Sequence, residues 1–299
     1  MSVIITHFNY SLHVRDALLS LLDQTHDNWE CVIVDDVSAP EHRERLREIV
    51  SALGCSKVTI VWQGENGGQL LAFFAGLDAT RGEFVCPLDP DDRYAETFLA
   101  EALAAHLNQT VVCPMVCTDQ YTLVNGEVTT AVQARHRLKQ LIGRARNAPI
   151  CIDSQEPHLL FLPAKLQGWH WTSTSSFMFR RAALQYLRPH KPPSSKIYAD
   201  GYLARGLHLI GGSLFLMKPL VYRTLHESNS LISKNIFSSL QQKNRLGAPV
   251  STDPRHDDLI EALRRNHAPL LATLTEKKKG VIARWHRSLA KRFPHVFDV

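Results

Sequence analysis

Residues 84–92 read FVCPLDPDD, an apolar run followed at once by three carboxylates in four positions. The five residues from Phe84 to Leu88 have the length and apolar character of a buried strand. Asp89, Asp91 and Asp92 therefore lie where that strand ends. Carboxylates so close together raise each other's pKa unless a cation or hydrogen-bond donors share the site. The stretch thus predicts a central strand with a polar site at its carboxyl end.

A divalent metal is the simplest partner for this acidic cluster. Hard oxygen ligands suit Mg²⁺ or Mn²⁺, and Mg²⁺ is commonly held by one or two carboxylates plus the phosphates of a substrate. The sequence therefore predicts a metal and a phosphate-bearing ligand, with Asp91 as a ligand. The alternative is a helix cap, because acids stabilise a helix start, and Asp92 fits that role best.

Strand and helix patterns alternate through the first third of the chain, which favours a parallel sheet with crossover helices. The predicted strands are 2–6, 30–34, 57–62, 84–88, 111–118, 176–180 and 214–223. The predicted helices are 14–22, 41–53, 69–79, 94–107, 181–186 and 200–209. From 133 to 168 the periodicity fades, which predicts an insertion or a loop over the site. The fold class is therefore α/β, a Rossmann-like mixed or mostly parallel sheet flanked by helices.

The composition indicates an ordinary globular protein. A chain of 299 residues can form one large domain. No apolar run approaches the roughly 20 residues that span a bilayer, and the first residues lack a signal-peptide pattern, so we expect a cytoplasmic location. The six cysteines have neither zinc-site nor disulfide spacing, and we expect reduced core residues.

Positive charge is concentrated near the end of the chain. Between 264 and 292 the sequence has nine Lys and Arg residues against one acid. Residues 251–299 are therefore predicted to form a basic helical extension that contacts an anionic membrane surface. A solvated helix face is the alternative. We expect no nucleic-acid partner.

Polar residues follow each predicted strand of the first third, and in an open α/β sheet ligands bind beyond the carboxyl ends of the strands. These positions include Thr6 and Phe8, Asp35 and Asp36, and Asn66. Asp35 or Asp36 can accept hydrogen bonds from a base N–H or a ribose hydroxyl. A turn or helix cap is the alternative for this acid pair.

These segments resemble, in order along the chain, the opening of glycosyltransferase family 2. The matching stretches are 2–9, 19–25, 29–38, 66–68, 75–77, 79–83 and 88–92. Looser matches lie at 174–181, 198–200 and 222–226. The resemblance implies a GT-A fold and inverting transfer of a sugar from a nucleoside diphosphate, UDP favoured, to an acceptor hydroxyl, with Mg²⁺ or Mn²⁺ as cofactor.

The resemblance also implies roles for individual residues. The nucleotide sugar would be contacted by Thr6, Phe8, Asp35, Asp36, Asn66, Gly68 and Asp89. The metal would be held by Asp91, Asp89 and His226, although a histidine among polar loops often only forms hydrogen bonds. Asp200 would be the general base. Ala199 stands where the family usually has an acid, and a helix cap is the alternative for Asp200.

Residues 1–250 are predicted to form the GT-A domain, with a nucleotide-sugar half at 1–120 and an acceptor half at 121–250. The expected acceptor is a saccharide or lipid-linked saccharide of bacterial cell-surface polysaccharide or lipopolysaccharide synthesis, at the inner face of the membrane. The Gln-x-x-Arg-Trp signature of processive synthases is missing, which argues against processive synthesis. Residues 169–172 could line an acceptor sugar subsite with aromatic rings, or form a packed loop.

The sequence also bears on three other function classes. A nucleotidyltransferase also uses an α/β sheet, acids and Mg²⁺, but residues 6–9 are not a glycine-rich basic phosphate loop. A catalytically inactive sugar-nucleotide-binding protein is disfavoured because the acids are intact. A Rossmann oxidoreductase is disfavoured because no G-x-G-x-x-G follows the first strand.

Overall fold

The computed structural model describes residues 1–124, 127–129, 149–152, 158–166, 168–196, 198–226 and 254–274. The strands are β1 Ser2–His7, β2 Glu30–Asp35, β3 Val58–Trp62, β4 Phe84–Leu88, β5 Arg93–Tyr94, β6 Met115–Val124, β7 Glu127–Thr129, β8 Ile150–Cys151, β9 Leu159–Leu162, β10 Phe177–Arg180 and β11 Ser213–Leu225. The helices are α1 Val14–Leu22, α2 Pro40–Leu53, α3 Gln69–Asp78, α4 Phe98–His106, α5 Arg181–Leu184, α6 Ala199–Gly211 and α7 Pro254–Leu274.

All of these strands belong to one mixed sheet with the order β3-β2-β1-β4-β10-β6-β11-β9-β8, while β5 pairs with β11 and β7 with β6. β3, β2, β1 and β4 are parallel neighbours. β10 lies antiparallel between β4 and β6, and β11 is parallel to β6. The chain moves from β1 outward to β3 and returns to β4 on the other side of β1. The strand order thus reverses beside β1, which is where open α/β sheets bind ligands.

Helices cover both faces of the sheet, so the central strands are apolar on both sides. On one face, Ile4 packs with Phe73 of α3 and Leu203 of α6. On the other face, Ile5 packs with Leu18 of α1 and with residues of α2 and α4. The alternating sides of β1 therefore join two separate cores. The six cysteines are free thiols. The predicted core position is confirmed for Cys31, Cys86, Cys113 and Cys117, whereas Cys55 and Cys151 are only partly buried.

Several observed boundaries differ from the predicted ones because of pairing between distant strands. The helix predicted from 94 begins at Phe98, since Tyr94 pairs with Val221 and forms β5. The prediction of irregular structure from 133 to 168 is wrong in part, because residues 159–162 form β9 against β11. Residues 133–148, 153–157 and 167 of that region lie outside the described residues.

The described part of the predicted C-terminal extension is α7, and it packs into the main core. Leu259 and Ala262 are buried in the same cluster as α3 and α6. Asn266 donates its amide to the carbonyls of Tyr186 and Arg188. Within the described ranges, no helix combines the length and apolarity that crossing a membrane requires. The domain boundary at 250 stays a prediction, and the basic stretch 275–299 lies outside the described residues.

Gly76 sets how closely α3 approaches the sheet. A Cβ atom added there would lie 2.5 Å from Cγ2 of Ile4 and 3.1 Å from Cγ2 of Val34. We expect Gly76→Ala to lower the free energy of unfolding by about 1–3 kcal/mol, the cost of overpacking. In an exposed helix the same change would stabilise by about 1 kcal/mol. Urea unfolding measures the difference.

The control is Gly64→Ala, because a Cβ at Gly64 meets no atom within 4 Å. A Gly76→Ala variant as stable as the wild type would show that α3 is not held this tightly.

Candidate functional site

A cavity of about 670 Å³ opens at the carboxyl ends of β1, β2 and β4. It is lined from both halves of the chain. The predicted residues among its walls are Thr6, Phe8, Asp36, Asn66, Gly68, Asp89, Asp91 and Asp200. Phe8 is 48% exposed, so an apolar ring faces the space beside Asp36. Asp35 and His226 are not among the wall residues.

Asp36 organises the turn that follows β3. Its two carboxylate oxygens accept hydrogen bonds from the backbone N–H groups of Gly67 and Gly68, each at 2.8 Å. The Asn66 side chain donates to the backbone carbonyl of Asp36 at 2.9 Å. Gly68 has a φ of +84°, and a Cβ there would lie 2.6 Å from the Lys196 backbone. The predicted N-G-G turn therefore needs glycine at 68, because a second segment passes directly against it.

Asp35 lies beneath the cavity rather than in its wall. Its side chain is 0% exposed. One carboxylate oxygen is 2.9 Å from Nδ1 of His7, and the other accepts the N–H of Ser38 and forms an ion pair with Arg43. Burial alone would raise the pKa of Asp35, but the hydrogen bonds from His7 and Ser38 outweigh it and lower the pKa. The structure thus gives Asp35 a supporting position, and its predicted direct contact with a ligand is not favoured.

The three acids after β4 have different partners. Asp89 accepts a hydrogen bond from the Gln69 side chain at 3.3 Å. Asp91 is 3.0 Å from Nε2 of His226. Asp92 is buried and accepts hydrogen bonds from the Ser175 hydroxyl and the backbone N–H of Thr224.

Asp92 therefore ties the acidic loop to β11. The prediction that it caps the next helix is wrong, because α4 begins only at Phe98.

Negative charge is crowded in this cavity. Burial raises the pKa of Asp89 well above its usual value, and the charges of neighbouring acids, including Asp200, raise it further. Burial and the charge of Asp91 raise the pKa of Asp92 to about 7, against the hydrogen bond from Ser175 and the charge of Arg223. A cation bound among these groups would favour their ionised forms.

The donor set fits Mg²⁺ or Mn²⁺, because carboxylate oxygens are the ligands these ions prefer. Among the residues that the structure describes, no three His, Cys, Asp or Glu side chains converge as a complete cage. A metal here would therefore be held by Asp89 and Asp91, with ligand phosphates and water completing the coordination. The His226 ring stacks on His13 at 4.6 Å, and its metal role stays a prediction.

Asp200 enters the cavity from the first turn of α6. Tyr198, which precedes the helix, has a φ of 92°, a conformation that bulky residues rarely adopt. Asp200 accepts the N–H of Gly201 at 2.7 Å, and an acid in a first turn is favourable to the helix dipole. The helix cap itself is Tyr198, and the general-base role of Asp200 stays a prediction.

Four further wall residues were not identified from the sequence: Tyr10, Gln69, Lys196 and Arg223. Lys196 donates to the Asn66 side chain at 2.8 Å, and Arg223 acts on the charge of Asp92. Lys196 and Arg223 bring positive charge to an acidic cavity. Lys196 lies outside the matched stretches and Arg223 within the loosely matched stretch 222–226, and only tertiary contact brings them to the cavity. For Gln69, the available sequence signal is its position directly after the predicted turn at 66–68.

The aromatic stretch at 169–172 is mainly structural. Trp171 is 2% exposed, and its Nε1 donates to the Ser213 hydroxyl at 3.0 Å. Trp169 packs edge-on against it. The packed-loop alternative is thus confirmed for Trp171, and its place in an acceptor sugar subsite is wrong.

The sequence matches the family model described as Glycosyl transferase family 2 over residues 2–187. An uncharacterised glycosyltransferase of Nostoc sp. is 28% identical over 261 residues, which make up 87% of this chain and 76% of that protein. The amylovoran biosynthesis glycosyltransferase AmsB of Erwinia amylovora is 32% identical over 105 residues, 34% of each chain. The chain thus matches about a third of that second relative.

Solved structures show the same architecture. Staphylococcus aureus TarS residues 1–349, in complex with UDP, gives a TM-score of 0.55 at 16% identity and covers 94% of this chain and 74% of its own. The mannosyltransferase PcManGT of Pyrobaculum calidifontis, in complex with GDP-Man and Mn²⁺, gives a TM-score of 0.54 at 17% identity. The match covers 97% of this chain and 79% of the PcManGT chain. At this identity the likeness shows the fold.

Asp35→Asn tests the buried support beneath the cavity. We expect it to lower the free energy of unfolding at pH 7 by about 1.5–3 kcal/mol, the contribution of hydrogen bonds to a charged group. Folding lowers the pKa of Asp35 below its usual value of 3.8. The stabilising contribution is therefore fully present above about pH 3.8. It is lost as the pH falls through the folded-state pKa.

Urea unfolding from pH 7 to pH 3 measures the effect. Asp27→Asn, at an exposed position, serves as the control and should show no such trend. An Asp35→Asn deficit that stays constant over this pH range would contradict the assignment.

Proposed function

Since the chain belongs to glycosyltransferase family 2 and has the GT-A type α/β fold, we propose that it transfers a sugar from a nucleoside diphosphate to an acceptor hydroxyl with inversion. The observation that carries the proposal is the convergence of Asp36, Asp91 and Asp200 on one cavity. We assign Asp36 to the nucleoside, Asp91 to the diphosphate and Asp200 to the reacting carbon.

The nucleoside end is assigned to the walls that β1 and β2 provide. The half-exposed ring of Phe8 offers a face on which a base can stack. Asp36 and Asn66 add polar groups beside it. UDP is the favoured donor nucleotide, supported by the UDP bound to the structural neighbour TarS. The GDP-Man bound to PcManGT makes guanine the comparison to test.

The diphosphate end is assigned to Asp89 and Asp91, which would hold Mg²⁺ or Mn²⁺. When bound, the metal supplies a Lewis acid that stabilises the charge developing on the leaving diphosphate. The Mn²⁺ in PcManGT supports a divalent ion. Lys196 and Arg223, on the cavity walls, add positive charge for the phosphates.

Asp200 is assigned as the general base. Its carboxylate takes the proton of the acceptor hydroxyl while that oxygen bonds to the anomeric carbon. The bond from this carbon to the diphosphate oxygen breaks, and its electron pair leaves with the nucleoside diphosphate. Attack on the face opposite the leaving group inverts the configuration in one displacement.

The acceptor is proposed to be a saccharide or lipid-linked saccharide of bacterial cell-surface polysaccharide synthesis. The relative AmsB, named for amylovoran biosynthesis, supports this class. The acceptor half at 121–250 and contact of the basic C-terminal stretch with the inner membrane face remain part of the proposal. A cytoplasmic site of action fits a nucleotide-sugar donor.

Asp91→Asn should abolish both metal-dependent nucleotide binding and sugar transfer, because a neutral amide is a poor ligand for a hard divalent ion. Thermal shift against UDP-, GDP-, dTDP- and CMP-sugars, each with Mn²⁺, Mg²⁺ or chelator, measures the binding. The wild type should be stabilised by one nucleotide class in the presence of metal, and chelator should remove the shift.

The matched control is Asp27→Asn, at an exposed position outside the cavity, which should behave as the wild type. Transfer that survives both chelator and Asp91→Asn would refute the metal-dependent mechanism.

Asp200→Asn should lower kcat by about 10²–10⁴, the usual contribution of a general base. Nucleotide binding with metal should persist, since Asp200 lies on α6 rather than on the nucleotide side. Transfer assays with product nuclear magnetic resonance give both the rate and the anomeric configuration. A wild-type rate in Asp200→Asn, or retention of configuration in the product, would contradict this assignment.

A further inference from the structure

Gln69 lies between the acidic cluster and the helix that carries Asp200. Its Nε2 donates to Oδ1 of Asp89 at 3.3 Å. Its Oε1 accepts the backbone N–H of Ala199 at 3.2 Å. One side chain therefore contacts both the predicted metal ligand and the residue just before the predicted base.

An amide is the group that this position requires. The Asp89 carboxylate needs a donor, and the N–H of Ala199 needs an acceptor, and a carboxamide offers both at similar reach. The two partners also fix which way the amide faces. A glutamate could accept from Ala199 but would add a negative charge beside Asp89, where acids already crowd one another.

The bond to Ala199 fixes the start of α6. The first N–H groups of a helix have no acceptor within the helix. The Gln69 side chain supplies an acceptor for one of them, the N–H of Ala199. Since Ala199 directly precedes Asp200, the same bond sets where Asp200 stands relative to Asp89. A displacement of about 1 Å between reacting groups can cost about 10²-fold in rate.

Other contacts hold the same two segments together without the Gln69 side chain. The backbone N–H of Gln69 donates to the Lys196 carbonyl at 2.7 Å. The Lys196 ammonium donates to the Asn66 side chain at 2.8 Å. The segments also touch where Gly68 meets the Lys196 backbone. A change confined to the Gln69 side chain should therefore leave the fold intact.

We propose that Gln69 is a positioning residue that sets the placement of the general base relative to the metal-binding acids. This inference rests on the proposed function. Gln69 itself neither binds the metal nor transfers a proton. It couples the nucleotide half to the catalytic helix across 130 positions of the chain.

Gln69→Leu and Gln69→Glu separate the two bonds. Gln69→Leu removes both, so the Ala199 amide should exchange its hydrogen about tenfold faster or more in native-state exchange. Gln69→Glu keeps an acceptor for Ala199, so that amide should stay protected. Both variants should lower kcat by about tenfold or more. In Gln69→Leu the donor KM should change far less, since the walls assigned to the nucleobase are untouched. Gln109→Leu, at an exposed position, is the matched control.

Unchanged exchange at Ala199 in Gln69→Leu would overturn the proposal, as would a wild-type kcat in that variant. A fall in kcat matched by general loss of protection across α6 would also overturn it, because it would show a merely structural role. If the wild type transferred no sugar, the proposed function would fail on its own, and exchange at Ala199 would still decide whether Gln69 positions α6.

Discussion

Buried carboxylates that repel each other are the constraint on which this structure depends. Asp89 and Asp92 have raised pKa values because burial and neighbouring acids disfavour their charges. Such crowding costs free energy, since buried charge without adequate partners is strongly destabilising. Ser175, Thr224 and Gln69 offset part of the repulsion through hydrogen bonds. A divalent cation would offset the remainder, which makes the cavity a site prepared for one.

The two halves of the site are joined by a short series of hydrogen bonds rather than by a shared helix or strand. Asp36 holds Gly67 and Gly68, and the turn they form carries Gln69, which contacts Ala199. Asp36 and helix α6 are thus connected through a few residues. Asp35 pairs with His7 beneath the cavity, where both side chains are fully buried, and supports these residues from below. On the proposed function, this geometry would place the donor carbon next to the acceptor hydroxyl.

The sequence predicted the features that depend on local pattern. Helix α1 and strand β4 have the predicted bounds, because apolar spacing and length decide them. What it missed depends on contacts between distant residues. Strand β9 exists because β11 offers it a pairing edge. Asp35 and Asp36 are adjacent, alike in sequence and both buried, yet only the fold decides that Asp36 lines the cavity and Asp35 lies beneath it. The same holds for Lys196, whose segment carries no motif, and for Arg223, whose loosely matched stretch 222–226 does not show that it lines the cavity.

The most direct test of the metal-binding site is electron paramagnetic resonance of Mn²⁺ titrated into the wild-type protein with and without UDP. We expect one tight Mn²⁺ site per chain that forms with the nucleotide, since two carboxylates alone leave most coordination positions to phosphates and water. No Mn²⁺ site with UDP or any other nucleoside diphosphate, in a folded sample, would contradict it.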